Sequence, residues 1–252
     1  MTMFNFKKKR VERAPSQNSL LLDEWYQSDV NRKLWAETEP TLRPWLEKTI
    51  GYYAAHIASF KVDNSLLSCS RVRMQCVVNA TRYDDTKILA DFSTLPLATE
   101  SIDLLVAHHI FEFISDPHEF LREVDRVLIP EGTLIVIAFN PISYQGLFKL
   151  FQLHGRANPP WCGNFYTPFR VKDWLSVLGF KVKEVRYIAP PLVQYRNHPG
   201  YLSKLSRGCN RFLKWGSSFY AILATKQVSR MIPVGPVWKD KVVKPEVAQP
   251  TA

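Results

Sequence analysis

The segment from Lys87 to Asn140 restricts the possible folds of this 252-residue chain more than any other stretch. Ile102–Ala107 and Thr133–Phe139 are short and almost uninterruptedly apolar, the texture of strands buried on both faces. Between them, Phe120, Leu121, Val124, Val127 and Leu128 recur at helical spacing over Pro117–Leu128, with Glu119, Arg122, Glu123 and Arg126 on the wet face. Strand, helix and strand in that order predict a right-handed crossover between parallel neighbours. Lys87–Ala90 adds another short apolar strand, and Val72–Val78 one rich in β-branched residues.

The flanks extend the same alternation. Ser19 is a candidate cap for a helix with Leu22, Trp25 and Tyr26 on one face, and a second helical segment is expected from about Thr41 to Ala54, after Pro40. Downstream, Thr167–Leu178 reads as a helix ended at Gly179, followed by strands at Lys181–Tyr187 and Ser217–Ala224. The whole predicts one α/β domain over residues 19–227, with a disordered basic tail at 1–18 and a Pro-containing tail at 228–252.

Composition narrows the function classes. With 46% hydrophobic and 22% charged residues the chain has ordinary globular make-up. Its apolar runs are far shorter than the roughly 20 residues of a spanning helix, and no signal-like run follows Lys7, Lys8, Lys9 and Arg10. A soluble, unexported protein of the cytoplasm is expected. Cys69, Cys76, Cys162 and Cys209 form no C-x-x-C pair, which argues against a zinc site or a disulfide framework, so no metal is expected.

The net charge of +10 is concentrated in places. Residues 1–14 hold five Lys/Arg against one acid, residues 226–252 five against two, and residues 194–216 add Arg196, Lys204, Arg207, Arg211 and Lys214 with no acid. Gly200–Trp215 predicts an amphipathic helix whose basic face is solvated, covers the substrate site, or meets nucleic acid or an anionic surface.

The run ILADFSTLPLATESIDLLVAHHIFEFISDPHEFLREVDRVLIPEGTLIVIAFNP, Ile88 to Pro141, resembles the type 11 branch of class I S-adenosylmethionine-dependent methyltransferases. The resemblance rests on five elements in register. They are an Asp after a strand, Leu-Pro before an Asp-headed strand, Asp-Pro opening a helix, Arg-x-x-x-Arg-Val-Leu within that helix, and a Pro-x-Gly turn into the next strand. The later DWLSVLGFKVKEVRY and FYAILATK resemble the closing helix and strands of the same fold. It implies a Rossmann-like, mostly parallel twisted sheet with helices on both faces and an antiparallel last strand, and S-adenosyl-L-methionine as cofactor.

The resemblance also implies roles. Asp91 would receive the adenine amino group with Phe92 beside the ring; the alternative for Asp91 is a turn residue bonding its own backbone. His108 and His109, just past a strand, would lie along the methionine part and face the acceptor, where an imidazole can take a proton. Adjacent residues on extended backbone point to opposite sides, so one of the two at most is expected to face the site. Glu112 is close by. Asp116 and Pro117 read as cap and first residue of a helix, and Asp125 and Arg126 as its outer face. Asn140 and Tyr144, in the loop after Thr133–Phe139, are candidate acceptor contacts.

The chain departs from the family where a glycine-rich loop should follow the first strand. That position falls near His56–Lys61, with Ser59 as the small residue, and no glycine occurs between Gly51 and Gly132. Asn79 stands where an acidic residue would accept the ribose hydroxyls. Three functions follow: a methyltransferase acting on an unidentified small molecule by in-line displacement, a catalytically inactive module of the same fold, or a nucleic-acid-binding protein.

Overall fold

The computed structural model describes residues 15–27, 32, 35–62, 66–84, 86–143, 163–188 and 216–227. In chain order these form α1 (Pro15–Gln27), α2 (Thr38–Leu46), β1 (Tyr53–Ala58), a 3-10 turn (Leu66–Cys69), β2 (Met74–Asn79), β3 (Ile88–Leu89), β4 (Ile102–His108), α3 (Pro117–Val127), β5 (Leu128–Phe139), α4 (Pro168–Val177), β6 (Phe180–Ile188) and β7 (Phe219–Lys226). The strands make a seven-stranded sheet in the order β3-β2-β1-β4-β5-β7-β6. β1 is parallel to β2 and β4, and β4 to β5, while β7 runs antiparallel between β5 and β6. This is the mostly parallel, Rossmann-like sheet with an antiparallel last strand that the family resemblance implies.

Each face of the sheet buries its own core. On one side, Phe120, Leu121, Val124 and Val127 of α3 and Val171, Trp174 and Leu175 of α4 pack on Leu105, Ala107, Leu134 and Val136. On the other, Leu22 of α1 and Leu42, Trp45 and Leu46 of α2 cover Ala54, Ala58, Leu104, Val106, Ile135 and Ile137. Because β4 and β5 are covered twice, both alternating sets of side chains must be apolar. Asp116 caps α3, accepting from the backbone N–H of His118 and Glu119, with Pro117 at the first helical position, and Thr167 caps α4. No helix among the described residues is long and apolar enough to cross a membrane.

The structure corrects two expectations on the N-terminal side. The first helix starts at Pro15, ahead of Ser19. The second ends at Leu46, and the residues up to Ala54 lead into β1 instead. Pro44 inside α2 lacks the donor and crowds the preceding turn, and Gly51 then breaks any continuation. Five of the six β1 residues are buried, so its side chains show no two-residue alternation to betray a strand.

The register of β1 against β4 begins at a side chain. One oxygen of Asp103, Oδ2, accepts from the backbone N–H of both Tyr52 and Tyr53 at 2.9 Å. Gly51 lets the chain pass close enough for this: a Cβ there would lie 2.4 Å from the Asp103 Cβ and 2.6 Å from its Cγ. Gly51→Ala is therefore expected to lower unfolding free energy by about 1–3 kcal/mol, measured as a drop in the urea midpoint.

Two imidazoles lie inside the sheet. His56 on β1 and His108 on β4 are fully buried, their rings 5.5 Å apart and 13° from parallel, with His56 Nε2 3.3 Å from His108 Nδ1. Burial pushes His56 down to about 4, and burial with the neighbouring His109 and His56 holds His108 well below the usual imidazole value. Below the ordinary pKa near 6.5 the unfolded chain binds protons that the folded chain refuses. The stability present at neutral pH is therefore expected to fall as pH drops from about 6.5 towards 4. His56→Phe should reduce that slope by about 1.4 kcal/mol per pH unit, one proton's worth, in unfolding curves taken across this range.

Candidate functional site

β1, β2, β3 and β4 deliver their carboxyl ends to one edge of the sheet, and between β1 and β4 the crossovers reverse direction. Open α/β sheets bind ligands at such a point. A cavity of about 670 Å³ opens there, walled by Ser59 after β1, Ala80 after β2, Asp91 and Phe92 after β3, and Phe113 to Asp116 after β4, with Glu119 and Phe120 of α3.

Asp91 is exposed on this cavity, and Phe92 is buried with its ring edge-on to Phe120. Asp91 Oδ1 accepts from the Ser93 backbone N–H at 3.0 Å, while the Thr94 N–H bonds the Asp91 carbonyl. The turn role is therefore present, and it uses one carboxylate oxygen. The loop beyond is fastened by two residues of α3. Arg126 donates to the carbonyls of Leu95 and Leu97 and to both oxygens of Glu123, whose Oε2 accepts from the Leu95 N–H. Arg126 is thus no outer-face residue: its guanidinium turns under the Asp91 loop and satisfies carbonyls that the short β3 leaves without ladder partners.

Ser59 is buried, its backbone N–H bonded to the His108 carbonyl and its Oγ without a hydrogen-bond partner among the described residues. Asn79 is buried too, and both ends of its amide are in use: Nδ2 donates to the Phe60 carbonyl at 2.8 Å and Oδ1 accepts from the Thr81 N–H. The glycine-rich loop is replaced by Ser59-Phe60-Lys61-Val62. Among the described residues the crossover to β2 carries the 3-10 turn rather than a longer helix. Phe60 is buried where that loop would run, stacked on Tyr26 at 4.7 Å and edge-on to His108 at 4.7 Å.

The two histidines do not part company as expected. His109 has φ of 50°, a left-handed turn at the end of β4, so its ring swings back beside that of His108, with centroids 4.8 Å apart. Both are fully buried, and neither is among the residues that wall the larger cavity. His108 stacks on Trp35 at 4.7 Å with Nε2 unpartnered among the described residues. His109 lies on Phe139 at 4.0 Å, with Nδ1 3.2 Å from Glu112 Oε1 and Nε2 2.6 Å from the Tyr26 hydroxyl. Glu112 Oε1 also accepts from the Phe139 N–H, while its Oε2 is buried and unpartnered among the described residues. Burial and the Glu112 charge hold the Tyr26 phenol well above its usual pKa.

A second cavity of about 280 Å³ lies on the other side of the β1 loop, walled by Tyr26, Trp35 and Phe60 with Asp23, Gln27, Arg32 and Lys61. Asn140, at the end of β5, is buried, with Nδ2 donating to the Ser217 carbonyl and Oδ1 accepting from the Ile142 N–H. Tyr144, residues 1–14 and 228–252, and the basic segment at 200–215 lie outside the described residues, whereas residues 15–18 of the expected N-terminal tail are helical in α1. Tyr26, Trp35 and Phe60 escaped the sequence reading, since aromatics at helical spacing look like core. The density of aromatics ahead of β1, Tyr26 and Trp35 among them, was the available signal.

Residues 49–136 match the family model of a methyltransferase domain, type 11. An uncharacterized protein of Escherichia coli K12, YafS, is 37% identical over 144 residues, 57% of this chain and 59% of that protein. Malonyl-[acyl-carrier protein] O-methyltransferase 1 of Coxiella burnetii is 30% identical over 94 residues, 37% of this chain and 32% of that protein. The chain thus spans less than two thirds of these curated relatives. Among solved structures, a chain from the complex of the Haloferax volcanii Trm112 methyltransferase activator with a methyltransferase superposes with a TM-score of 0.55 at 15% identity, covering 85% of this chain and 97% of that one. A SAM-dependent methyltransferase from Thermotoga maritima gives 0.56 at 18% identity, over 82% and 95%. These likenesses speak for the fold, and the family match speaks for the segment that builds the carboxyl edge. Over residues 49–136 the chain is thus similar to the type 11 methyltransferase domain, and it shares its overall fold with solved S-adenosylmethionine-dependent methyltransferases.

Proposed function

We propose that the chain is a working S-adenosylmethionine-dependent methyltransferase for a small-molecule acceptor, with the adenosine end of the cofactor in the larger cavity. The observation behind this reading is the meeting of three groups at that cavity: the Asp91 carboxylate, the Phe92 ring and the enclosed Ser59 hydroxyl. Asp91 keeps Oδ2 free of hydrogen bonds among the described residues, and a carboxylate can only accept, which suits an exocyclic amino group. Phe92 supplies an apolar wall for a flat ring. Ser59 Oγ, buried and unpartnered among the described residues, suits a ribose hydroxyl. Asn79 serves the same site indirectly, by holding the Phe60 carbonyl.

We assign His108 to the methionine end, His109 to proton handling, and Asn140 with Tyr144 to the acceptor side. The bound cofactor supplies an electrophilic methyl group on a sulfonium. The chain's own task is to align the acceptor in line with it and to exclude water. We take the domain as residues 19–227, flanked by tails at 1–18 and 228–252, with the basic segment at 200–215 open to an anionic partner.

A second reading, a module of this fold without catalysis, has one observation in its favour: Phe60, Tyr26 and Trp35 crowd the end of β1, where the family keeps a glycine-lined loop. Calorimetric titration separates the two. S-adenosylhomocysteine is expected to bind with measurable heat and a thermal shift, and Asp91→Ala to weaken it at least tenfold. Absence of both signals at millimolar ligand would sink the enzyme reading.

A further inference from the structure

Beyond cofactor binding lies a cluster that the methyltransferase fold does not itself require. Tyr26, His109 and Glu112 form a continuous hydrogen-bonded line, from the smaller cavity to the inside of the sheet. We propose that this line is a proton relay for the methyl acceptor, and that the smaller cavity takes a small hydroxylated aromatic molecule. The proposal rests on the reading of the protein as a working methyltransferase.

The geometry gives each member one task. The carboxylate of Glu112 accepts from His109 Nδ1 at 3.2 Å, which fixes the imidazole as the tautomer with its proton on Nδ1. His109 Nε2 is then an acceptor, and the Tyr26 hydroxyl at 2.6 Å donates to it. A base oriented by a buried carboxylate and bonded to a hydroxyl follows the logic of nucleophile-activating triads, with a phenol in the hydroxyl's place. Phe139, stacked on the His109 ring at 4.0 Å, and the left-handed turn at His109 hold the imidazole in this pose.

Burial supports a chemical purpose for the arrangement. Glu112 and His109 are almost wholly inaccessible, yet Glu112 Oε2 has no hydrogen-bond partner among the described residues. Purely structural packing gains nothing from a half-satisfied carboxylate in the core. A carboxylate is required if the imidazole beside it must become positively charged. The other titratable groups facing this pair are His108, beside His109, and Tyr220, which feels the Glu112 charge.

The step balances as follows. The acceptor oxygen forms a bond to the methyl carbon, and the sulfur–carbon bond breaks with its electron pair passing to sulfur. The acceptor's proton moves to the Tyr26 oxygen while the phenolic proton moves to His109 Nε2, leaving an imidazolium stabilised by Glu112. An acceptor that already lacks a proton, such as a carboxylate, has no use for this relay. A cavity of about 280 Å³ walled by Tyr26, Trp35 and Phe60 fits one or two flat rings. A phenolic hydroxyl on such a ring is the acceptor group that both features select.

Two measurements on the full chain test this without any cofactor. In ¹⁵N-histidine spectra, the His109 signal, identified by its loss in His109→Gln, should show a protonated Nδ1 and a hydrogen-bonded, unprotonated Nε2. Tyr26→Phe, which keeps the ring, should shift Nε2 downfield towards an unbonded imidazole nitrogen. A proton on Nε2, or an Nε2 shift indifferent to Tyr26→Phe, overturns the relay. Catechol should quench tryptophan fluorescence saturably, and Trp35→Ala should weaken its binding at least tenfold. Trp35→Leu, which retains more of the volume, serves if the alanine variant loses its fold by circular dichroism. No saturable binding of catechol, or binding untouched by the Trp35 substitution, overturns the acceptor assignment. Neither readout depends on S-adenosylhomocysteine, so failure of the cofactor reading is told apart from failure of the relay.

Discussion

β1 and β4 lie side by side in parallel, from Ala54 against Leu104 to Ala58 against His108, and everything at the carboxyl edge is positioned by that pairing. One end is fixed by Asp103, whose carboxylate holds two backbone N–H groups at the start of β1. At the other end, Ser59 still bonds the His108 carbonyl, so the two strands separate only where the cavities begin. The pairing also forces His56 and His108 together in the sheet, and it carries Phe60 and the two histidines into one aromatic cluster. Because a parallel ladder has evenly spaced bonds, a slip of one residue would exchange the contents of the two faces altogether.

The part of the fold legible in the sequence was the part where burial and periodicity agree. β4, α3 and β5 are told by two continuous apolar runs around a strongly amphipathic helix, and the caps at Asp116 and Thr167 follow from local chemistry alone. β1 was hidden because it is buried on both faces and follows a helical segment without a clear stop. Arg126 was misjudged for a related reason. Helical spacing tells which face a residue occupies, while what a long side chain reaches depends on a loop brought back from thirty residues earlier, here Leu95 to Leu97.

The candidate site could be located from the sequence where its residues sit at strand ends, and could not where it depends on tertiary packing. Asp91, Phe92 and Ser59 all line the larger cavity. The histidine pair was singled out, but alternation along an extended strand gave the wrong geometry, because His109 lies one residue beyond the strand and in left-handed backbone. Tyr26 is eighty-three residues away from His109, and no spacing rule joins them. The missing glycine loop has its counterpart in the short crossover after β1. Among the described residues no long helix begins after Phe60, so the backbone N–H groups that glycine would expose to an anionic ligand end are not assembled there.

The left-handed backbone at His109 also bears on how this site can drift in evolution. With φ of 50°, the position disfavours β-branched and bulky residues and favours glycine, asparagine, aspartate or histidine. Of these, histidine alone offers two ring nitrogens facing opposite partners, and it alone fills the space against Phe139. Neighbouring lineages are therefore expected to keep the histidine or to lose it abruptly to a small residue, with few graded intermediates between. Position 109 acts as a narrow gate in sequence space, where the backbone admits a handful of residues and the surrounding side chains accept one.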